Sequence, residues 1–374
     1  MIIQAAVVYD GRRPFELQNV ELDVPRPDEV LVRIVASGIC HTDLVTSERA
    51  SPDLPMVLGH EGAGVVARTG SAVTKVQAGD HVVLTILSCG CCEPCQHDQP
   101  AYCRSKAALN FSGTRKDGTR TLKSGDKPIA GSFFGQSSFA TYALAYERNL
   151  VKIPKTFPLV LAAPLGCGIQ TGAGAVLRSL DCRPGTSIMV AGAGTVGLAA
   201  VLAARYRGCL PIVVVEPHAN RRALALKLGA THAIDPSGPQ PLAAAISNAL
   251  PGGADYVIDT SGLPDVIHGL VDALAPLGKL GVIGLPPNQS DKIGIGIMTL
   301  LSNGLTVRGI VEGDTDPDEF IPELITLFEA GHLPYDTLIQ RYPFADINRA
   351  IADQNDGRCV KAVLLMNDGA TDGE

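Results

Sequence analysis

The feature that most limits how this chain can fold is the apolar run Ser187–Ala191, which breaks at Gly192-Ala-Gly194-Thr-Val-Gly197 and continues from Thr195 as a small-residue helical pattern. Three glycines in a G-x-G-x-x-G pattern between a strand and a helix meet the needs of a dinucleotide. The first permits a tight turn, the second lets the backbone approach a pyrophosphate, the third lets helix and strand pack closely, and the helix N-terminus adds positive potential. The next strand, Ile212–Glu216, ends in a carboxylate 19 residues beyond Gly197. There it can accept hydrogen bonds from ribose hydroxyls and repel a 2′-phosphate, which favours NAD over NADP. Arg221 and Arg222 pull the other way, since a nearby arginine can serve a phosphate. The candidate cofactor residues are Gly192, Gly194, Thr195, Gly197, Glu216 and Arg221; the alternative is a glycine turn that binds nothing.

After about Gly168 the texture alternates. Strands are expected at Tyr256–Asp259, Leu280–Gly284 and Leu305–Gly309, with helices at Arg221–Leu228, Leu242–Ala249 and Val266–Leu274. That rhythm predicts a parallel sheet covered by helices on both faces. Before it, from Gln4 to Ala67, short segments such as Glu29–Val35 and Gly62–Val66 separated by Pro and Gly turns predict an irregular, mostly-β domain. The stretches Ser88–Cys103 and Asn110–Gly135 show neither period and are expected to be surface excursions. A helix near Ile321–Ala330 and a strand near Ala362–Met366 should pack back on the first domain, and Asn367–Glu374 should fray.

A chain of 374 residues exceeds one ordinary core of roughly 100–200 residues. With 46% hydrophobic and 18% charged residues it is globular in composition. Its net charge of −7 comes without long runs of one sign, which excludes the basic stripe that nucleic acid or an anionic membrane would need. Ser187–Ala204 is long enough for a membrane span, but its three glycines interrupt it at the expected turn. Met1–Pro14 lacks the basic and apolar regions of a secretory signal, so a cytoplasmic protein is expected.

In that setting ten cysteines point to metal or catalysis more than to disulfides. Cys89, Cys92, Cys95 and Cys103 form a C-x-x-C-x-x-C-x7-C array, and four thiolates so spaced can close a tetrahedral zinc shell. A closed shell has a structural role, because the ion replaces the core that such a loop cannot build. Cys91 could displace one of the four, and disulfides or a redox switch are the alternatives. Cys40, His60 and Cys167 lie far apart, and each alone reads equally as a buried thiol or a core histidine. Together they supply the two sulfurs and one imidazole of a catalytic zinc with an open fourth position.

The chain resembles the zinc-containing medium-chain alcohol dehydrogenases, most closely their aryl-alcohol (benzyl-alcohol) dehydrogenase branch. The resemblance rests on Cys40-His-Thr-Asp43, Gly59-His-Glu-Gly-Ala-Gly64, the four-cysteine loop, Asn110-Phe-Ser-Gly113, Phe133-Phe-Gly-Gln-Ser-Ser-Phe139, Gly166-Cys-Gly-Ile-Gln-Thr-Gly172 and Gly309-Ile-Val-Glu-Gly-Asp314. It implies an α/β plus mostly-β protein: a GroES-like catalytic domain over 1–168, an inserted Rossmann domain over 169–311, and a segment 312–374 that returns to the first. It further implies that Cys40, His60 and Cys167 bind catalytic zinc with Glu61 beside it, and that Asp43 hydrogen-bonds His60 and fixes its tautomer. Thr42 would contact the substrate hydroxyl, His41 and Lys361 the cofactor pyrophosphate, and Thr171 and Val196 the nicotinamide.

The implied activity is reversible, NAD-dependent oxidation of a primary aryl or allylic alcohol to the aldehyde, by hydride transfer from a zinc-bound alkoxide. Two zinc ions per chain and a homodimer, with a tetramer as the alternative, come with it. Liver-type members end their proton relay in a histidine five residues after the first zinc ligand, where this chain has Val45. The rival within the family is a glutathione-dependent formaldehyde dehydrogenase, which uses an arginine shortly after the structural cysteines. Ala107 stands there. Outside the family, the alternative is a zinc-binding or redox-sensing module without turnover.

Overall fold

The computed structural model describes residues 1–11 and 13–366, and the expected frayed end Asn367–Glu374 lies outside them. The chain divides into two compact units. Among the described residues, the first comprises Met1–Cys167, Asp316–Leu324 and residues 338–366; the second comprises Gly168–Thr315 and Ile325–Thr337.

Among the described residues, the first unit is built on two sheets. In the larger, Glu29–Gly38 is central: it pairs antiparallel with Glu61–Thr69, with Tyr142–Tyr146 and with Lys361–Leu365, and Ile339–Pro343 adds parallel to the last of these. The sequence Glu-Val-Leu-Val-Arg-Ile-Val is rich in β-branched residues and is buried at most positions, as a strand with neighbours on both edges must be. The smaller sheet sets Ile2–Val8 between Met56–Val57 and Glu16–Leu22, and Leu122–Ser124 and Lys127–Ile129 extend it. One apolar core, from Ile3 and Val7 through Val32 and Phe139 to Leu364, joins the two sheets.

The second unit holds a six-stranded parallel sheet, in the order His232–Ile234, Ile212–Val215, Ile188–Ala191, Ala254–Asp259, Leu274–Val282, Thr306–Gly309. All four residues of Ile188–Ala191 and of Ile212–Val215 are buried, which fits parallel strands covered by helices on both faces. The first strand in the chain lies third in the sheet, so the strand order reverses there. Ligands of such sheets bind beyond the carboxyl end at that reversal, where the glycine turn begins.

The structure corrects the sequence reading in two places. Asn110–Gly135 is no surface excursion throughout: Leu122, Ile129, Ala130, Phe133 and Phe134 are buried in the first unit's core. The reason is Arg115, whose buried guanidinium grips Glu29 on the central strand with Nε–Oε1 2.6 Å and Nη2–Oε2 3.2 Å, and reaches Asp23 at 2.7 Å. Residues 312–374 also divide, because 312–315 and 325–337 group with the second unit. Gly313 packs backbone to backbone against Gly174, and Tyr335 meets Phe328 at a tilt with ring centroids 5.0 Å apart.

Removing one partner of a buried ion pair strands the other charge. Arg115→Met should therefore cost about 3 kcal/mol or more and lower the thermal unfolding temperature clearly. Differential scanning calorimetry at fixed zinc and cofactor reads this, and an unchanged transition would show the pair to be dispensable.

Candidate functional site

In the first unit, Cys40 is the N-cap of the helix His41–Ser47. Asp43, in that helix's first turn, turns its carboxylate back and accepts from the Cys40 backbone N–H at 2.9 Å. Its other oxygen accepts from the Gly59 N–H at 3.0 Å and faces His60 Nδ1 at 2.9 Å. One buried carboxylate thus ties a helix start to the strand entry that carries His60. With Nδ1 held as a donor, Nε2 is the nitrogen left for a ligand, and in the structure it is buried without a hydrogen-bond partner. Cys167 follows the turn Ala163–Gly166, whose last carbonyl accepts from Thr85 Oγ1 at 2.8 Å.

These elements bring one donor atom each of Cys40, His60, Glu61 and Cys167 within 4.8 Å of one another. His60 and Glu61 are buried while the two thiols are half-buried, so the cluster is accessible from the sulfur side. A hydrogen bond with Cys167 is the main cause holding the Cys40 thiol well below its ordinary range, against the opposing effect of burial. Burial lifts the Glu61 carboxyl to about 7, and the Lys361 ammonium opposes that. Burial works against the charged form of His60, yet the charges of Asp43 and Cys40 raise its proton affinity well above the usual value. Surroundings this anionic attract any cation. Two thiols, an imidazole nitrogen without a partner and a neighbouring carboxylate therefore fit zinc.

Lys361 is buried: its ammonium pairs with Glu61 and donates to the Ile39 carbonyl at 2.8 Å. The strand Lys361–Leu365 is paired into the large sheet, which turns this side chain inward. His41 is exposed and Thr42 half-buried, the Thr42 hydroxyl lying 3.7 Å from Cys40 Sγ.

Cys89, Cys92, Cys95 and Cys103 also converge, with one sulfur each within 4.8 Å of the rest. Backbone N–H groups point at the sulfurs: Cys89 N–H at Cys103 Sγ, 3.2 Å, and Arg104 N–H at Cys92 Sγ, 3.4 Å. Amide donation from Cys91 brings the Cys89 thiol down to about 6, whereas burial lifts Cys103 to about 12. Cys91 is exposed outside the four, 3.6 Å from Cys89 Sγ.

In the second unit, Gly192 has φ of +94°, and a Cβ on Gly197 would stand 1.9 Å from the Gly192 carbonyl. Only glycine fits at either position. At Gly194 a Cβ would meet nothing within 4 Å, which is the free approach a pyrophosphate needs ahead of the helix Thr195–Arg207. Glu216 is buried and partly engaged: it accepts from the Ala193 N–H at 2.7 Å and from the His218 N–H at 2.8 Å. Arg222 is drawn to Asp235 at 2.8 Å and to the carbonyls of Glu216 and Pro217. Arg221 and Val196 lie in the two helices that follow these strands, and Thr171 in the helix Gly168–Gly174.

Sequence reasoning missed the groups that hold His60 from behind. Phe134 stacks on its ring at 4.5 Å and Phe133 meets it edge-on at 5.4 Å. Gln136 clamps the backbone on both sides, donating to the His60 carbonyl at 2.9 Å and accepting from the Gly62 N–H at 3.2 Å. The apolar pair Phe133-Phe134 inside a polar stretch was the available signal.

A family model described as Alcohol dehydrogenase GroES-like domain matches residues 26–155, and one described as Zinc-binding dehydrogenase matches residues 195–330. The geraniol dehydrogenase of Castellaniella defragrans is 46% identical over 364 residues, covering 97% of each chain. The crystal structure of benzyl alcohol dehydrogenase from Acinetobacter calcoaceticus has a TM-score of 0.93 at 43% identity, covering 98% of this chain and 100% of that one. The crystal structure of an alcohol dehydrogenase zinc-binding domain protein from Burkholderia ambifaria has a TM-score of 0.94 at 47% identity, with coverage of 98% and 100%.

Because Asp43 orients two donors of one cluster and none of the other, Asp43→Ala should weaken metal binding there by about 10–100-fold and leave the cysteine loop loaded. Elemental analysis after dialysis against a weak chelator should then find about one zinc fewer per chain than in the wild type. Equal zinc in both proteins would remove Asp43 from this role.

Proposed function

The chain belongs to the zinc-containing medium-chain alcohol dehydrogenases, and on that footing we propose that it oxidises primary aryl or allylic alcohols to aldehydes with NAD, reversibly. One observation carries the reading: Cys40, His60 and Cys167, from distant parts of the sequence, converge around a buried imidazole nitrogen that has no hydrogen-bond partner. The family is one of alcohol dehydrogenases that use zinc and a nicotinamide dinucleotide. When bound, zinc supplies the Lewis acidity that makes an alcohol hydroxyl acidic near neutral pH, and NAD supplies the hydride acceptor. We assign one zinc to this cluster and a second, structural one to the four-cysteine loop.

Within the chain, Thr42 sets its hydroxyl 3.7 Å from the Cys40 sulfur and hands the alcohol proton outward. With half-buried Val45 where a relay histidine would stand, no histidine follows Thr42 on the same helix. Asp43 holds the donors, and the Phe133–Phe134 pair fixes the imidazole plane. The substrate class rests on relatives named for geraniol and benzyl alcohol, both primary alcohols next to a π system. NAD is supported by the buried Glu216 and by the engagement of Arg222 with Asp235, which keeps its guanidinium from a 2′-phosphate. No helix among the described residues is by itself long and apolar enough to cross a membrane.

A homodimer is supported by the second unit's surface. Ile297, Met298 and Leu301 on the helix Ile297–Asn303, which precedes the edge strand Thr306–Gly309 in the chain, are about 70–80% exposed. Ile297→Glu with Leu301→Glu should shift the mass measured by light scattering from two chains to one. If the double variant keeps the wild-type mass, this surface is not the interface.

An alcohol panel read by NADH absorbance tests the activity. Benzyl, cinnamyl and terpenoid alcohols should turn over with NAD, poorly with NADP, and not at all after chelation, and zinc should restore the rate. Thr42→Ala should lose about 100-fold or more in kcat. NADP preference, or a zinc-loaded protein inert to every alcohol, would overturn the reading.

A further inference from the structure

The segment Glu312–Asp314 is strained and buried in a way that the proposed chemistry has not used. Glu312, Gly313 and Asp314 are all left-handed, with φ of +52°, +69° and +55°, an arrangement that two non-glycine residues keep only when their surroundings impose it. The surroundings are the helix Gly168–Gly174. A Cβ on Gly313 would stand 2.6 Å from the Gln170 carbonyl, so the two backbones are in contact. Asp314 anchors the far end, accepting from Ser179 Oγ at 2.6 Å and Arg308 Nε at 2.8 Å. What the strain achieves is the placement of the Glu312 carboxylate, 5% exposed, under the fully buried Gln170 and the buried Thr171. One of its oxygens accepts from Gln170 Nε2 at 2.8 Å and from Thr171 Oγ1 at 3.4 Å. An oxygen that accepts from two donors is in the arrangement that suits the ionised carboxylate.

We propose that Glu312 is a positioning residue for the nicotinamide. It orients the Thr171 hydroxyl and sets a fixed negative charge near the ring, so that the oxidised, cationic form of the cofactor is favoured over the reduced one. The proposal rests on the reading above that Thr171 faces the nicotinamide. Gln170, held by the same oxygen, keeps the carboxylate from swinging away, and the close backbone packing at Gly313 prevents the segment from retreating. A fixed negative charge near the ring acts on the cationic form of the cofactor, whereas a purely structural side chain affects both redox forms alike.

The test is isothermal titration calorimetry of the zinc-loaded protein with NAD+ and with NADH. In Glu312→Gln, which keeps the shape and loses the charge, the ratio Kd(NAD+)/Kd(NADH) should rise about tenfold, and Glu312→Asp should restore most of the wild-type ratio. A folded Glu312→Gln with the wild-type ratio would overturn the proposal. Should that variant not fold, Thr171→Val removes the donor and leaves the charge: affinity for both forms should fall together with the ratio kept, and unchanged affinity for both would equally overturn it. Wild-type protein that binds neither NAD+ nor NADH would instead sink the functional reading, and this proposal with it.

Discussion

Much of the first unit's chemistry depends on the single buried carboxylate of Asp43. It closes the first turn of a short helix through the Cys40 N–H, fixes the approach to a strand through the Gly59 N–H, and sets the imidazole of His60 by its Nδ1. A buried charge of this kind is tolerable only when hydrogen-bonded on all sides. Once it is, backbone and ring cannot shift independently, so the Cys40 sulfur and His60 Nε2 are held in fixed relation. Metal chemistry needs that rigidity, because a ligand set that must be gathered on binding loses affinity to the cost of ordering it.

Around this pivot the first unit is arranged as support. Phe133 and Phe134 pack on the imidazole, and Gln136 fastens the backbone on either side of it. Phe133 and Phe134 come from a stretch that is polar on average, and it is brought inside by the Arg115–Glu29 pair. The arginine therefore contributes to the site at one remove: it anchors the loop that supplies the aromatic wall. Lys361 does something similar from the chain's last strand, neutralising Glu61 in a place where an unpaired carboxylate would compete for a cation. The second unit follows a different logic, in which backbone geometry carries the recognition. Its glycine turn leaves room at Gly194 and forbids side chains at Gly192 and Gly197, while Glu216 braces the turn through the Ala193 N–H.

Local signals were strong wherever one residue type answers one physical need. The four-cysteine spacing, the glycine pattern after an apolar strand, and the alternation of strands with helices such as Leu242–Ala249 were legible because periodicity and spacing are properties of contiguous chain. The short strand His232–Ile234 and the helix Ile347–Asn355 were not: one has only three residues and the other only nine. The pairing of Lys361 was not legible for a related reason. A lysine reads as exposed unless its partner is known, and Glu61 is 300 residues away in the chain.

By itself, then, the sequence determined which chemistry the chain carries: soft donors in metal-like spacing, a turn that only glycines can make, an acid at the end of the second strand. These follow from side-chain type and from distances of a few residues, which the covalent chain dictates. Tertiary structure alone decided which donors meet and what holds them. Cys40, His60 and Cys167 become one site, and Glu312 comes to lie under Thr171, only because long-range strand pairing and backbone packing join segments that sequence distance leaves unrelated.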